Sequence, residues 1–276
     1  MKNIDIIILH FGDITVTQQC IKSIEAKAKG YRNIILINND VTIDLTKHIK
    51  KQKKRIIINS EKNHGFAAGV NIGIKKALHN KADFVCLLNN DVTIKKDFVQ
   101  PIVTFMSKQE NAGIAGSIIE FALNGMSMFD HGAYVSNTTG KGTHSNNASI
   151  KFKKPQLVDY VSGCCMMIKK EVFDTIGYFD ERFFMYYEDV DFCLRANQKG
   201  FMTYVIPSAI VQHALSRAIG RKSKNLTYML VKSDIRFSKK HSEFPLRFIA
   251  TFSQIAKFAI KMPSHIPVIL KAVKEA

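Results

Sequence analysis

Apolar runs of strand length alternate with helix-patterned segments through residues 1–120, and this alternation sets the limits on the fold. Ile4–Leu9, Asn33–Ile37, Arg55–Asn59 and Phe84–Leu88 are apolar runs. Thr15–Lys29 has helical spacing through Val16, Cys20 and Ile24, and Gly69–His79 is a second helical segment. Strands that are apolar throughout, rather than at alternate positions, are buried on both faces, as in a parallel sheet covered by helices. The expected class is α/β, with a Rossmann-like, mostly parallel central sheet flanked by helices. Ligands are then expected at the carboxyl ends of the strands. Residues 121–150 lose the rhythm, are rich in Asn, Ser, Thr and Gly, and read as a loop excursion. Order is expected again at Val158–Lys169, then in the dense segment Gly177–Arg195 and in Tyr204–Ile206, which leads to His213.

Length and hydrophobic content, 276 residues and 46%, suit one sizeable domain with an appendage. The net charge of +17 suggests a polyanionic partner: nucleic acid, anionic lipid or a phosphorylated substrate. Residues 217–276 hold +10 of it, from 13 Lys/Arg against 3 Asp/Glu. The expected division is a domain over 1–216 and a basic helical extension over 217–276. Phe248, Ile249, Phe252, Ile255, Ala256, Ala259 and Ile260 form one helical stripe, with Arg247, Lys257 and Lys261 opposite. Such a helix lies on a membrane surface or docks on a partner; packing on the domain with a solvated basic back is the alternative. No uncharged stretch is long enough to span a membrane, and Asp5 argues against a signal peptide. Cys20, Cys86, Cys164, Cys165 and Cys193 have neither disulfide-framework nor zinc spacing and read as buried thiols of a cytoplasmic protein.

Four segments carry chemistry. Asn89-Asn90-Asp91 follows a buried apolar run, so its carboxylate faces the ligand crevice, where a hard cation such as Mg²⁺ or Mn²⁺ would share it with phosphate oxygens. The run from Asn63 through Gly65, Phe66, Gly69 and Asn71 to Gly73 lets backbone approach a ligand and opens a helix toward an anion. It is neither a dinucleotide fingerprint nor a P-loop. Five carboxylates lie within 180–191, among aromatic residues that can raise a carboxyl pKa and poise a general base. His213 is an isolated histidine, more often structural than a ligand.

The ordered motifs are Thr17, Cys20 and Ser23; Asn38-Asn39; Asn63-x-Gly65-Phe66-Ala67-Ala68-Gly69-x-Asn71-x-Gly73; Leu87-Leu88-Asn89-Asn90-Asp91; Ser162-Gly163; Gly177-x-Phe179-Asp180-Glu181-x-Phe183-Phe184; Glu188-Asp189-x-Asp191 with Arg195; and Pro207 before His213. Together they resemble the family 2 glycosyltransferases. The nearest branch is the bacterial rhamnosyltransferase-like and galactofuranosyltransferase-like enzymes of cell-surface polysaccharide assembly. The resemblance implies a GT-A fold and inverting transfer from a nucleoside-diphosphate sugar. It implies Asp91 and His213 as ligands of Mn²⁺ or Mg²⁺, and Asn38, Asn63, Gly65, Phe66, Gly69, Asn71, Asn89 and Asn90 around the nucleotide. It implies Asp189 as the base, with Glu188 and Asp191 positioning it or touching the acceptor. Asn38 stands where relatives carry an Asp that reads the nucleobase, and His10-Phe11-Gly12-Asp13 departs from the usual Tyr/Trp-Asn. Arg217, Arg221, Lys222 and Lys224 could close over the diphosphate.

The expected acceptor is a glycan or glycolipid at the inner face of the cytoplasmic membrane, reached by peripheral contact of the basic tail. A nucleotidyltransferase acting on sugar phosphates is a rival reading. A basic nucleic-acid-binding protein is another, but the acidic centre would repel phosphate and no aromatic-basic RNA motif is present, so no nucleic-acid partner is expected.

Overall fold

The computed structural model describes residues 2–136, 142–214, 223–241 and 246–276, with the side chains of 246–250 and 254 excepted. The elements are β1 (Ile4–His10), α1 (Ile14–Lys27), β2 (Asn33–Asn38), α2 (Leu45–His48), β3 (Arg55–Asn59), α3 (Gly65–His79), β4 (Phe84–Asn89), β5 (Val92–Thr93), α4 (Val99–Lys108), β6 (Ala112–Leu123), β7 (Met126–Val135), β8 (Gly142–Asn147), β9 (Gln156–Val158), β10 (Cys165–Lys169), α5 (Lys170–Ile176), α6 (Glu188–Asn197), β11 (Met202–His213), α7 (Lys224–His241), α8 (Leu246–Lys261) and α9 (Ile266–Glu275).

The sheet runs β3-β2-β1-β4-β10-β6-β11-β5. Strands β3, β2, β1 and β4 are parallel, as their uniform apolar character requires. Alternate β1 side chains enter different cores: Ile6 and Ile8 meet α1 and α4, whereas Ile7 meets α3. Parallel order stops at β4. Strand β10 lies antiparallel between β4 and β6, and β11 returns parallel to β6. The sheet is therefore mixed: parallel in its first half, with antiparallel insertions in its second. All five cysteines are buried and free.

Residues 121–150 are not a loop excursion. They contain most of a three-stranded antiparallel meander, β6-β7-β8, whose tip at 137–141 lies outside the described residues. Asn124 (φ 51°) and Gly125 (φ 78°) turn β6 into β7. An Asn-Gly pair in the left-handed region matches the twist of a tight hairpin. The part of the meander within 121–150 is largely solvated, with Leu123, Met126 and Tyr134 exposed and no residue of β8 buried, so it lacks the apolar runs of β1–β4.

Helices α7–α9 pack on one another, and α7 also packs on the main core through Phe237. Val231 and Ile235 of α7 meet Ile269 and Ala272 of α9 in a small separate core. Helix α7 also grips the segment ahead of α6. Ser233 Oγ donates to Met185 O (2.8 Å), Tyr187 OH to Asp234 Oδ1 (2.6 Å) and Lys240 Nζ to Asp180 Oδ2 (2.7 Å). The expected boundary at 216 falls outside the described residues. The α8 stripe divides: Ile255, Phe258 and Ala259 pack inward, whereas Phe252, Ala256 and Ile260, spaced four apart on one line, face outward. The side chains of Phe248, Ile249 and Arg247 lie outside the described residues. Among those described, no helix is long and apolar enough to cross a membrane.

Asn71 joins α3 to the segment that leads into α6. Its Nδ2 donates to Phe179 O (2.9 Å) and Glu181 Oε1 (3.0 Å), and its Oδ1 accepts from Phe179 N–H (3.1 Å). Asn71→Ala strands two buried backbone groups, so a loss of about 2–4 kcal/mol is expected. It should be read as a lower urea midpoint at unchanged m-value.

Candidate active site

The carboxyl ends of β1, β4 and β11 meet at one edge of the sheet. Strand β4 runs into Asn89-Asn90-Asp91, and the antiparallel pairing of His213 with Val92 brings the end of β11 alongside. His213 Nε2 lies 2.9 Å from Asp91 Oδ1, and Ala214 N–H donates to Asp91 O. Asp91 Oδ2 is buried with no partner. Asn89 Nδ2 reaches toward His213 Nε2 at 3.4 Å, and Asn90 Nδ2 donates to Thr17 Oγ1 (3.0 Å), itself 2.7 Å from His10 Nδ1. Asp91 therefore carries the open oxygen of this triplet. Among the described residues no three His, Cys, Asp or Glu side chains form a metal cage. A carboxylate with an orphaned oxygen beside an imidazole fits a divalent cation that completes its shell with phosphate oxygens and water.

The glycine-rich segment turns mostly inward. Gly65 has φ 76°, and a Cβ there would stand 2.3 Å from Phe184 O, so only glycine admits that close approach. Phe66 N–H donates to Phe184 O (2.7 Å), Gly65 N–H to Asn63 Oδ1 (2.9 Å) and His64 N–H to Asn39 Oδ1 (3.1 Å). These groups are thus occupied, and the α3 N-terminus holds the 184 loop instead of presenting all its donors to an anion. Gly69 packs against Leu9, where a Cβ would come within 2.6 Å. Asn38 is 1% exposed; its amide donates to Ile43 O and Asn59 Oδ1. Asp40, two residues on, is partly exposed, accepts from Gly12 N–H and Thr42, and is held below the usual carboxylate range chiefly by the Thr42 hydroxyl.

The acidic triplet opens α6, where carboxylates favour the positive helix end. Tyr186 (φ 71°) and Tyr187 (φ 68°) precede it in the left-handed region, a strain of order 1–3 kcal/mol per residue that surrounding contacts must hold. Asp189 is partly exposed; its Oδ2 accepts from Gly163 N–H (3.1 Å) and its Oδ1 from Val190 N–H (2.8 Å). Burial raises its pKa, opposed by the Gly163 bond and by the charge of His144. Glu188 is buried with Oε2 unpartnered; burial, then the charge of Asp189, push its carboxyl well above the usual range. Asp191 faces away. It is fully buried and bound by Arg195 Nε (2.9 Å), Lys240 Nζ (2.6 Å) and His241 Nε2 (2.7 Å). Burial alone would raise it, but the hydrogen bonds from His241 and Lys240 and the charges of Arg195 and Lys240 hold it below its ordinary value.

Three groups near this edge escape a reading of motifs. His10 ends β1, is fully buried, and keeps Nε2 unpartnered, with its pKa lowered by burial. His144 of β8 bonds Asp130 of β7 (Nδ1 to Oδ2, 2.7 Å) and meets the Tyr160 ring edge-on. A bulge between Asp130 and Ala133, with Gly132 at φ 84°, aims that pair. Burial works against the charged His144 ring, but Asp130 and then Asp189 raise its pKa. These two residues lay in the segment read as a loop. Gly163 was legible as a motif, but not as the donor that seats Asp189.

The pattern of Glycosyl transferase family 2 matches residues 5–177. The low-salt glycan biosynthesis hexosyltransferase Agl10 of Haloferax volcanii is 27% identical over 207 residues, covering 72% of this chain and 63% of that protein. The dTDP-rhamnosyl transferase RfbF of Shigella flexneri is 28% identical over 186 residues, 66% of this chain and 60% of that one. The chain thus spans less than two thirds of the length of either relative. Among solved structures, GalNAc-T7 with UDP, GalNAc and Mn²⁺ aligns at a TM-score of 0.64 and 15% identity, over 97% of this chain and 58% of that one. At that identity the likeness speaks for the GT-A fold. With the family pattern spanning well over half its length, the chain belongs to glycosyl transferase family 2.

Proposed function

We propose that this glycosyltransferase is inverting and metal-dependent, and moves a sugar from a UDP- or dTDP-sugar to a hydroxyl of a lipid-linked, lipopolysaccharide or capsule glycan. The observation that carries the reading is a set of buried, unpartnered polar atoms: His10 Nε2 and Asp91 Oδ2 at the carboxyl ends of β1 and β4, and Glu188 Oε2 at the start of α6. Buried polar groups without partners call for a ligand. The dTDP-rhamnosyl name of RfbF and the UDP and Mn²⁺ bound to GalNAc-T7 support the choice of nucleotides and cation.

Asp91 and His213 would hold Mn²⁺ or Mg²⁺, which when bound neutralises charge on the departing nucleoside diphosphate. Asp189 takes the proton of the acceptor hydroxyl. The new C–O bond forms on the face of the anomeric carbon opposite the breaking bond to the diphosphate, and the configuration inverts. Glu188, neutral through burial, offers a hydrogen bond in place of a second negative charge beside the base. Asp40, with a partly exposed carboxylate two residues past the end of β2, is better placed than Asn38 to accept a nucleobase N–H. Asn63 and Phe66 border the nucleotide, and Gly65 and Gly69 shape that wall. Lys224 is exposed; Arg217, Arg221 and Lys222 lie outside the described residues. The basic charge of 217–276, with Phe252, Ile260 and Leu270 exposed, supports peripheral contact with the inner face of the cytoplasmic membrane.

UDP or dTDP with Mn²⁺ should raise the thermal midpoint, and an oligonucleotide should not. Asp189→Asn should keep that shift and lose transfer by at least a hundredfold, in the range of general-base contributions; near-normal turnover would remove Asp189 as the base. The base must be ionised to act, so activity should fall as pH drops through its raised pKa. The acid limb of kcat/KM should therefore lie above the ordinary Asp value of about 3.9. His144→Gln removes a charge that lowers the Asp189 pKa and should move this limb to higher pH.

A further inference from the structure

Strand β3 stands at the outer edge of the sheet, and β2 is its one strand partner among the described residues. We propose that this edge, with the lysine-rich turn that leads into it, docks an extended acidic segment of a partner protein, which joins the sheet as a further strand. The inference stands apart from the glycosyl-transfer reading.

The register shows which backbone groups are open. Ile34 N–H donates to Lys54 O (2.8 Å) and Ser60 N–H to Asn38 O (3.0 Å). In a parallel ladder, alternate residues turn both backbone groups to the same neighbour. Ile56 and Ile58 therefore bond to β2, and Ile57 and Asn59 turn their N–H and C=O away from it. Among the described residues no backbone group meets these outward donors and acceptors. Protein edges of this kind are usually blunted by a charge, a proline or a bulge on the strand itself. Here Ile56, Ile57 and Ile58 fill the strand. Its one charge, Arg55, is tied to Glu25 by two hydrogen bonds.

Charge selects the partner. Residues 45–60 hold six Lys/Arg and no Asp or Glu. Lys47, Lys50, Lys51, Lys53 and Lys54 are exposed. Helix α2 ends at His48, so the lysines from 50 onward do not serve its negative end. An acid-rich strand laid beside β3 sets its carboxylates at this turn and its peptide groups on Ile57 and Asn59, the pattern of recognition by strand addition. A nucleic acid or a lipid head group would satisfy the lysines and leave the peptide groups open. A second copy of the chain fits poorly. Parallel pairing of two β3 strands sets two lysine turns side by side, and antiparallel pairing offers each turn Glu61 next to Lys62, without net charge. The turn lies at the amino ends of the parallel strands, whereas His10 and Asp91 lie at the carboxyl ends, so a docked segment leaves the crevice open.

The test uses the full chain and a blocked hexapeptide of alternating glutamate and valine, followed by titration and by amide hydrogen exchange. The peptide should slow exchange at Ile57 and Asn59 and leave Ile56 and Ile58, already bonded to β2, unchanged. Affinity should fall at least tenfold in the Lys50→Gln/Lys51→Gln/Lys53→Gln variant, at an unchanged thermal midpoint; Lys54, which lies over the Tyr31 ring (5.3 Å), is left in place. A peptide N-methylated at alternate residues should bind at least tenfold more weakly than its parent. The proposal is overturned if the wild-type chain does not bind the peptide, or binds it without slowing Ile57 and Asn59. It is also overturned if a lysine–valine peptide binds equally well, or if the triple variant or the N-methylated peptide keeps full affinity. Protection of Ile57 and Asn59 in a dimer without peptide would overturn it in favour of a second copy. Tighter lysine-dependent binding of an oligonucleotide or of phosphatidylglycerol vesicles, with both amides unprotected, would overturn it in favour of a general anion contact.

Discussion

Strands buried on both faces have no side to spare for chemistry. The side chains of Ile6–Leu9 in β1, Ile34–Ile37 in β2 and Val85–Leu88 in β4 all go to one core or the other, and the polar side chains stand nearer the strand ends. His10, Asn38, Asn89 and Asp91 all stand at such ends, and β11 delivers His213 to the same edge. The location of the site follows from the way the sheet is covered, before any catalytic residue is chosen.

Asp191 shows how a second constraint shapes the other wall. A fully buried carboxylate is tolerated only when paired and hydrogen-bonded. Here the partners come from its own helix, Arg195, and from α7, Lys240 and His241. Helix α7 thereby becomes part of the support of the acidic triplet. Three adjacent acids have diverged into three roles through environment alone: Asp189 partly open, Glu188 buried and unpaired, Asp191 buried and neutralised.

The first half of the fold was legible because doubly buried strands leave continuous apolar runs; β3 matches its expected limits, and β1, β2 and β4 differ by a residue at the C-terminal end. Strands β6–β8 were not. The outer, solvated part of that meander carries polar residues that mimic a loop, although Asn124-Gly125 was a turn signal in plain view. Asp91 and His213 were joined in sequence only by the family resemblance, since His213 alone is an isolated histidine; the structure brings them within 2.9 Å. The inward commitment of Asn38 and Asn71 was not, because an amide satisfied by backbone 108 positions away looks the same in sequence as one free to bind a nucleotide.

The left-handed pair Tyr186-Tyr187 has a further consequence. The segment is kept in place from two sides, by α3 through Phe66 and by α7 through Ser233 and Asp234. Helix α7 sends Phe237 into the main core, but α8 and α9 are held chiefly by the small core they share with α7, so these helices have fewer buried anchors than the sheet and are the part expected to open first. Once α7 lifts, the tyrosines can relax and Asp189 loses its aim while the sheet stays intact. With Asp189 as the proposed base, inactivation would precede denaturation, and the temperature limit for activity would be set at the periphery of the fold.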